Sequence, residues 1–444
     1  MVVWLGFFMD TVLFTGKIYS FYSRDTESNA LFRLVLEICK FRHYGVWFLT
    51  FWLIFDCLKL LNIAKSRFLI VLMTFLGTPL FYYIFVIPCS SHGTSVFAVS
   101  LFLWYWLKSF SYPDKPGRYI LLGIFAGIMV MVRPQEGLFM VCVLIEWTYR
   151  FFKHKDFMNI LKQVGVFIVF FIITLSPQLL IWKFIYGNFL ASPAGFNVSL
   201  NNFALKEVLF SSYHGILFWT PVYFIAFAGL LYSLKKDLIV YGSLLITVCL
   251  QVLINSLCVA FWEGHSFGLR QMTSSSLVIA VGIAGLWYKK PFLSLIVIPV
   301  IWTTLLHFNA YLGLDLLNYL SPEEIFNKQK NFLPVTINFF KQLFTKSQPG
   351  PSLSIGFFIL TMAVLWIGKK IRERIDKKQL TPVIVILLII ICLFDIKIFR
   401  AHRNKPNYDK SGIQTIDSKQ LPVFFTKQVE EMKDKYESLR RKSE

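Results

Sequence analysis

The residues whose types could do chemistry stand at the ends of apolar runs. Arg133, Gln135 and Glu136 surround Pro134 between the apolar runs 119–132 and 137–147. His92 closes Cys89-Ser90-Ser91-His92, and His214 follows Ser211-Ser212-Tyr213. Glu263, His265 and Arg270 share the stretch Trp262-Glu263-Gly264-His265-Ser266-Phe267-Gly268-Leu269-Arg270.

A guanidinium presents paired donors that match the oxygens of a phosphate, so Arg133 and Arg270 are candidate phosphate ligands. Gln135 adds donors beside the rigid turn at Pro134, and Gly264 and Gly268 leave room for backbone to approach a ligand near Arg270. His92, His214 and His265 could orient a phosphate or an acceptor, and Glu263 is a candidate acid or base. Each residue also has a plain structural role open to it. A histidine at a helix end caps or marks an interface, and an arginine or Lys183 at a helix end snorkels to headgroups. The histidines have no i, i+4 pairing of the helical zinc type, so a divalent metal would have to be assembled from distant loops.

The elements that must position these groups follow from composition. The 444 residues are 56% hydrophobic, 18% aromatic and 16% charged, which predicts an all-α polytopic membrane protein of about 12 spans. Apolar runs place the spans near 30–58, 68–87, 93–110, 119–132, 137–151, 164–186, 216–234, 238–260, 272–288, 291–313, 353–368 and 381–398. Every second connection is basic. Lys59, Lys65 and Arg67 stand in one, Lys108, Lys115 and Arg118 in the next, then Arg150, Lys153, Lys155 and Lys162, then Lys235-Lys236, Lys289-Lys290 and the cluster 369–378. The positive-inside rule makes these connections cytoplasmic. That arrangement accounts for much of the net charge of +20 without nucleic acid. His92, Arg133, Glu136, His214, Glu263, His265 and Arg270 then fall together on the outer side of a plasma membrane.

The organisation expected is a segment 1–29 left from an outer loop or lying at the interface, a transmembrane module 30–313, an outer amphipathic loop 314–352, a hairpin 353–398 and a polar tail 399–444. In the amphipathic loop, Ser321-Pro322-Glu323-Glu324 predicts a capped helix start. The following Phe332, Ile337, Phe339, Phe340, Leu343 and Phe344 recur at helical spacing. The seven cysteines show no paired metal-type spacing, so they read as packing residues. Residues 1–15 lack the basic n-region and cleavage site of a secretory signal.

Several short motifs, in order along residues 30–290, resemble bacterial GT-C membrane glycosyltransferases of the protein O-mannosyltransferase and aminoarabinose-transferase type. They are Thr78-Pro79-Leu80-Phe81-Tyr82-Tyr83 with Ser91-His92, Gly123-Ile124-Phe125-Ala126-Gly127 leading to Arg133-Pro134-Gln135, and Ser176-Pro177-Gln178 with Tyr186-Gly187. Ser211-Ser212 with His214-Gly215 and Trp219-Thr220-Pro221, and Ser266-Phe267-Gly268 with Arg270, complete the series. The resemblance implies sugar transfer from a polyprenyl-phosphate donor to a lipid, glycan or protein acceptor at the outer face. Such enzymes carry their catalytic carboxylate in a first outer loop. Here the nearby acids Asp10, Asp25 and Glu27 match no such context, so the chain reads as starting after that loop, with Glu136 or Glu263 as substitutes. The alternatives are a transporter or flippase of lipid-linked glycans and an inactive truncated homologue. A transporter would carry polar residues near mid-membrane, whereas Gln251, Asn255, His307 and Asn309 lie toward the outer ends.

Overall fold

The computed structural model describes residues 46–345, except 64–65, 88–89, 116, 156, 191–198, 200–202, 259–265, 288–292 and 317–319. The expected hairpin 353–398, the polar tail, residues 1–45, Glu263 and His265 lie outside the described residues.

Among the described residues the chain is all-helical. The helices are α1 (46–60), α2 (Arg67–Gly77), α3 (Ser91–Ser109), α4 (Arg118–Val132), α5 (Val141–His154) and α6 (Phe157–Tyr186). Two short helices, α7 (Leu205–Phe210) and α8 (Ile216–Trp219), precede α9 (Val222–Ser233) and α10 (Leu238–Leu257). After them come α11 (Ser276–Trp287), α12 (Leu293–Tyr311), α13 (Pro322–Lys330) and α14 (Phe332–Thr345). A π turn (Tyr82–Val86) and two 3-10 helices (Pro134–Met140 and Arg270–Ser275) lie between them. Phe157–Phe184 and Leu238–Leu257 are long and apolar enough to cross a membrane.

Prolines break two of the expected spans. Thr78 precedes Pro79 and is pushed to extended backbone (φ −119°, ψ 168°), as the proline ring demands of its predecessor, so the expected span 68–87 ends at Gly77. Thr220 before Pro221 likewise leaves the helix (φ −144°), dividing the expected span 216–234. Carbonyls freed inside apolar surroundings need donors, and α12 supplies them. His307 Nε2 donates to the Thr78 carbonyl at 3.0 Å, Thr303 Oγ1 to Trp219 at 3.1 Å, and Trp302 Nε1 to Phe218 at 2.6 Å. One helix thus repairs both breaks and holds them beside each other.

Glycines set the closest helix contacts. A Cβ at Gly123 would stand 2.5 Å from the Phe167 carbonyl, and one at Gly127 would stand 2.6 Å from Thr174 Cβ. This Gly-x-x-x-Gly spacing lets the backbones of α4 and α6 meet. Gly229 on α9 meets Gly282 on α11 in the same way, with Ala226 and Gly285 in the same seam.

At the N-terminal end of α4, Arg118 is wholly buried and paired to Glu146 through Nη1–Oε1 at 2.6 Å and Nη2–Oε2 at 2.8 Å. Trp106 Nε1 donates to the same carboxylate at 2.9 Å, and Arg118 Nε donates to Ser109 at 2.9 Å. Arg150 bonds Asp114 at 2.8 Å and Gln163 at 2.8 Å. Arg118 and Arg150, counted in the basic connections, both join helix ends. Lys183 donates to the Gly187 carbonyl at 2.8 Å, capping the end of α6.

Ser321 forms a full capping box with Glu324 at the start of α13. Phe339 is buried and stacks on Phe308 with ring centroids 4.0 Å apart, while Phe332, Leu333, Ile337 and Phe340 are exposed. The described part of the amphipathic pattern thus forms two helices, α13 and α14, with one face on α12. Cys57, Cys142 and Cys258 are buried and Cys249 is exposed.

Candidate functional site

Helix α4 is 15 residues long, about 22 Å at 1.5 Å per residue. Its N-terminus carries the Arg118 pair and its C-terminus delivers Arg133. Pro134 starts a 3-10 helix, fitting the first helical position where no N–H is needed. This tight turn places Glu136, which is fully buried, under Arg133. The expected loop is therefore ordered helix.

Four side chains meet around Arg133. Its Nη1 lies 2.9 Å from His92 Nδ1 and 3.8 Å from Glu136 Oε1. With the Gln135 amide oxygen turned toward it, that oxygen accepts from Arg133 Nη2 at 2.6 Å and Nε at 2.9 Å. Ser95, one turn along α3 from His92, donates to Glu136 Oε1 at 2.7 Å. Burial pushes the Glu136 carboxyl above the usual carboxylate range, while Arg133, Ser95 and Ser274 pull it down. The net direction is up, because leaving water costs the charged form more than these partners return.

The segment 266–275 closes the cluster from the opposite side. Arg270 is near enough to Arg133, His92 and Tyr83 to act on each electrostatically, and its backbone comes up to the His92 ring. The segment is fixed from α10. Gln251 Nε2 donates to the Gln271 carbonyl at 3.0 Å and to Ser274 Oγ at 2.9 Å, and Ser275 donates to Gln251 Oε1. Asn255 donates to the Gln251 carbonyl at 2.8 Å. Gln251 and Asn255 are thus a support behind the site.

Aromatic rings form the wall. Tyr83 lies over His92 with centroids 4.5 Å apart, and its hydroxyl accepts from the Phe267 N–H at 3.3 Å. Phe267 stacks on His307 at 4.0 Å and meets Trp219 edge-on at 5.1 Å. His214 stacks on Trp219 at 5.2 Å and is 1% exposed. Its backbone is left-handed, with φ 64°. The structure thus places His214 in the wall, between Tyr213 and Trp219. Gly268 has φ +54°, and a Cβ there would stand 2.9 Å from Trp219 Cβ. Its missing side chain makes room for Trp219 rather than for a ligand.

The fold therefore brings together Arg133, Gln135, Glu136, His92 and Arg270, and adds Tyr83, Ser95 and Ser274. Tyr83 stands in the motif Thr78–Tyr83 with no role assigned, and Ser95 and Ser274 read only as helix residues; their value lies in a packing that no local spacing reveals. Among the described residues no group of three or more His, Cys, Asp and Glu side chains stands close enough to hold a metal ion. The arrangement suits an anion: two guanidiniums stand at one end of an apolar helix cluster, with a neutral amide and an imidazole holding Arg133 in place. Comparison of the chain with protein-family models, with curated proteins and with solved structures finds no match.

Proposed function

We propose that this chain is a multi-pass membrane glycosyltransferase of the GT-C type. It takes a sugar from a polyprenyl-phosphate carrier and passes it to a lipid, glycan or protein acceptor at the extracytoplasmic face. The observation that carries this reading is the convergence of Arg133 and Arg270 on His92 and Tyr83 at the ends of apolar helices. A polyprenyl-phosphate donor has an apolar tail that belongs in the bilayer and a phosphate that belongs at its rim. Two guanidiniums at a helix end suit that division.

In this mechanism the sugar–phosphate bond breaks and negative charge grows on the departing phosphate. Arg133 and Arg270 meet that charge with donors already oriented, so no solvent need reorganise as it forms. Gln135 occupies Arg133 Nε and Nη2, and His92 occupies one Nη1 hydrogen; the remaining donors of the fork serve the phosphate. Glu136 is committed to Ser95 and Arg133, which makes it a support for the cation. The base that activates the acceptor is assigned to Glu263.

The bilayer is the partner this reading requires, and α6 and α10 have the length and composition to cross it. The remaining apolar helices complete a multi-pass body in a plasma membrane, and nucleic acid has no part. A flippase is the weaker reading because the polar residues gather at one end of α4, where a transport path would continue to the other. There the Arg118–Glu146 pair is closed on itself. The test is sugar transfer from a labelled polyprenyl-phosphate sugar in membranes containing the full chain. Transfer that depends on Arg270 supports the reading, and its absence from the native chain overturns it.

A further inference from the structure

An arginine side chain has donors only, and this fixes the state of its partner. His92 Nδ1 lies 2.9 Å from Arg133 Nη1, so that nitrogen must offer its lone pair. The ring proton then resides on Nε2. On its other side the ring comes up to the Arg270 backbone, whose carbonyl is the group an N–H can meet. Both nitrogens are therefore used, one by each arginine, and the ring face is used by Tyr83 at 4.5 Å. His92 is 8% exposed.

We propose that His92 is a positioning residue: held as the neutral Nε2–H tautomer, it ties the Arg133 guanidinium to the Arg270 backbone and so sets the spacing of the two cations. The inference rests on the reading of those arginines as the phosphate-binding pair. It changes the role expected of His92 itself, from contact with phosphate or acceptor to a tie between two residues that make the contact. The tie spans separate parts of the fold, since Arg133 ends α4, Arg270 begins the 3-10 helix 270–275, and His92 opens α3. The two guanidiniums repel each other, and the tie opposes that repulsion from the side of α3.

Two measurements test this on the full chain in lipid nanodiscs. The first is nitrogen NMR of ¹⁵N-histidine protein, with the His92 signal assigned by its loss in His92→Phe. A protonated Nε2 with an unprotonated, hydrogen-bonded Nδ1 is expected. A protonated Nδ1, in the other tautomer or in imidazolium, overturns the proposal. This result is independent of what the protein binds.

The second is binding of a polyprenyl phosphate to the native chain and two variants. His92→Phe keeps the ring over Tyr83 and removes both nitrogens. Its affinity is expected to fall roughly 10- to 100-fold, as for loss of hydrogen bonds to a charged group. His92→Asn restores an acceptor near the Nδ1 position and is expected to recover part of that loss. Binding by His92→Phe equal to native, or no recovery by a folded His92→Asn, contradicts the tie. A native chain that binds no polyprenyl phosphate defeats the functional reading alone, and the tautomer then decides the role of His92.

Discussion

Arg118 and Glu146 form a two-pronged ion pair, 2.6 and 2.8 Å, with both side chains out of solvent. The pair joins the start of α4 to α5, and Trp106 and Ser109 draw in the end of α3. The three helices that carry His92 and Arg133, and that lead away from Glu136, are thus pinned at the far end. Breaking such a pair on one side leaves a buried charge, at a cost of about 3–5 kcal/mol. Glu146→Ala is expected to lower stability by that order, read from denaturant unfolding in detergent. Replacing both partners together, Arg118→Met with Glu146→Leu, should restore most of the loss. A double variant as unstable as the single one would show that the pair is not the cause.

The glycine seams predict opposite outcomes for the same substitution. Gly127→Ala places a Cβ 2.6 Å from Thr174 Cβ, and overpacking of this kind costs about 1–3 kcal/mol. Gly165 in α6 has nothing within 4 Å of an added Cβ, and Gly165→Ala is expected to stabilise by about 0.4–1 kcal/mol. Thermal melts of the two variants check the contrast, and a lower Tm for Gly165→Ala would contradict it.

Asp114 lies in the connection before α4, and the direction of its titration gives a pH dependence. Partial burial raises its pKa, but hydrogen bonds from Asn159, Arg150 and Gln163 outweigh this and hold it below the ordinary aspartate value. A carboxyl depressed by folding contributes stability that is present above its unfolded pKa and is lost as pH falls through the folded value. Asp114→Asn should therefore lower Tm modestly at neutral pH and leave it unchanged once the pH is below the depressed folded value, the effect being small because the side chain is largely exposed. An equal loss at both pH values would remove the ionised form from the explanation.

Glu136 runs the other way. Its carboxyl is raised by burial, so its contribution is complete below its unfolded pKa and is lost as pH rises through the folded value. Glu136→Gln mimics the protonated form and can keep a hydrogen bond with Ser95. It is expected to remove that alkaline loss, and stability curves against pH for the two proteins should meet at acid pH and diverge above. Curves that stay parallel throughout would contradict this.

Much of the site was legible before any coordinates, for a physical reason. Charged groups next to apolar runs must find one another or water, and the alternation of basic connections sorts them by side. That argument alone gathers His92, Arg133 and Arg270. It also gathers His214, which is nearby yet stacks on Trp219, because side alone does not specify which groups touch. Glu146 was missed although it is an acid inside the run 137–151, where a buried partner is required. Its partner Arg118 was counted among the cations of a basic connection at the start of another run. The breaks at Thr78 and Thr220 had their signal in Pro79 and Pro221. Their repair by Trp302, Thr303 and His307 depends on helix rotation, which an apolar run does not fix.

The central claim is that Arg133 and Arg270 stabilise a departing lipid phosphate. It is tested most directly by the rate of sugar transfer from a polyprenyl-phosphate donor by native, Arg133→Ala and Arg270→Ala chains at equal folded amounts in membranes. Removing one preorganised charge-stabilising donor typically costs about 10²–10³ in rate, and a loss of that order in each variant is the predicted result. Transfer by either variant at the native rate would contradict the account.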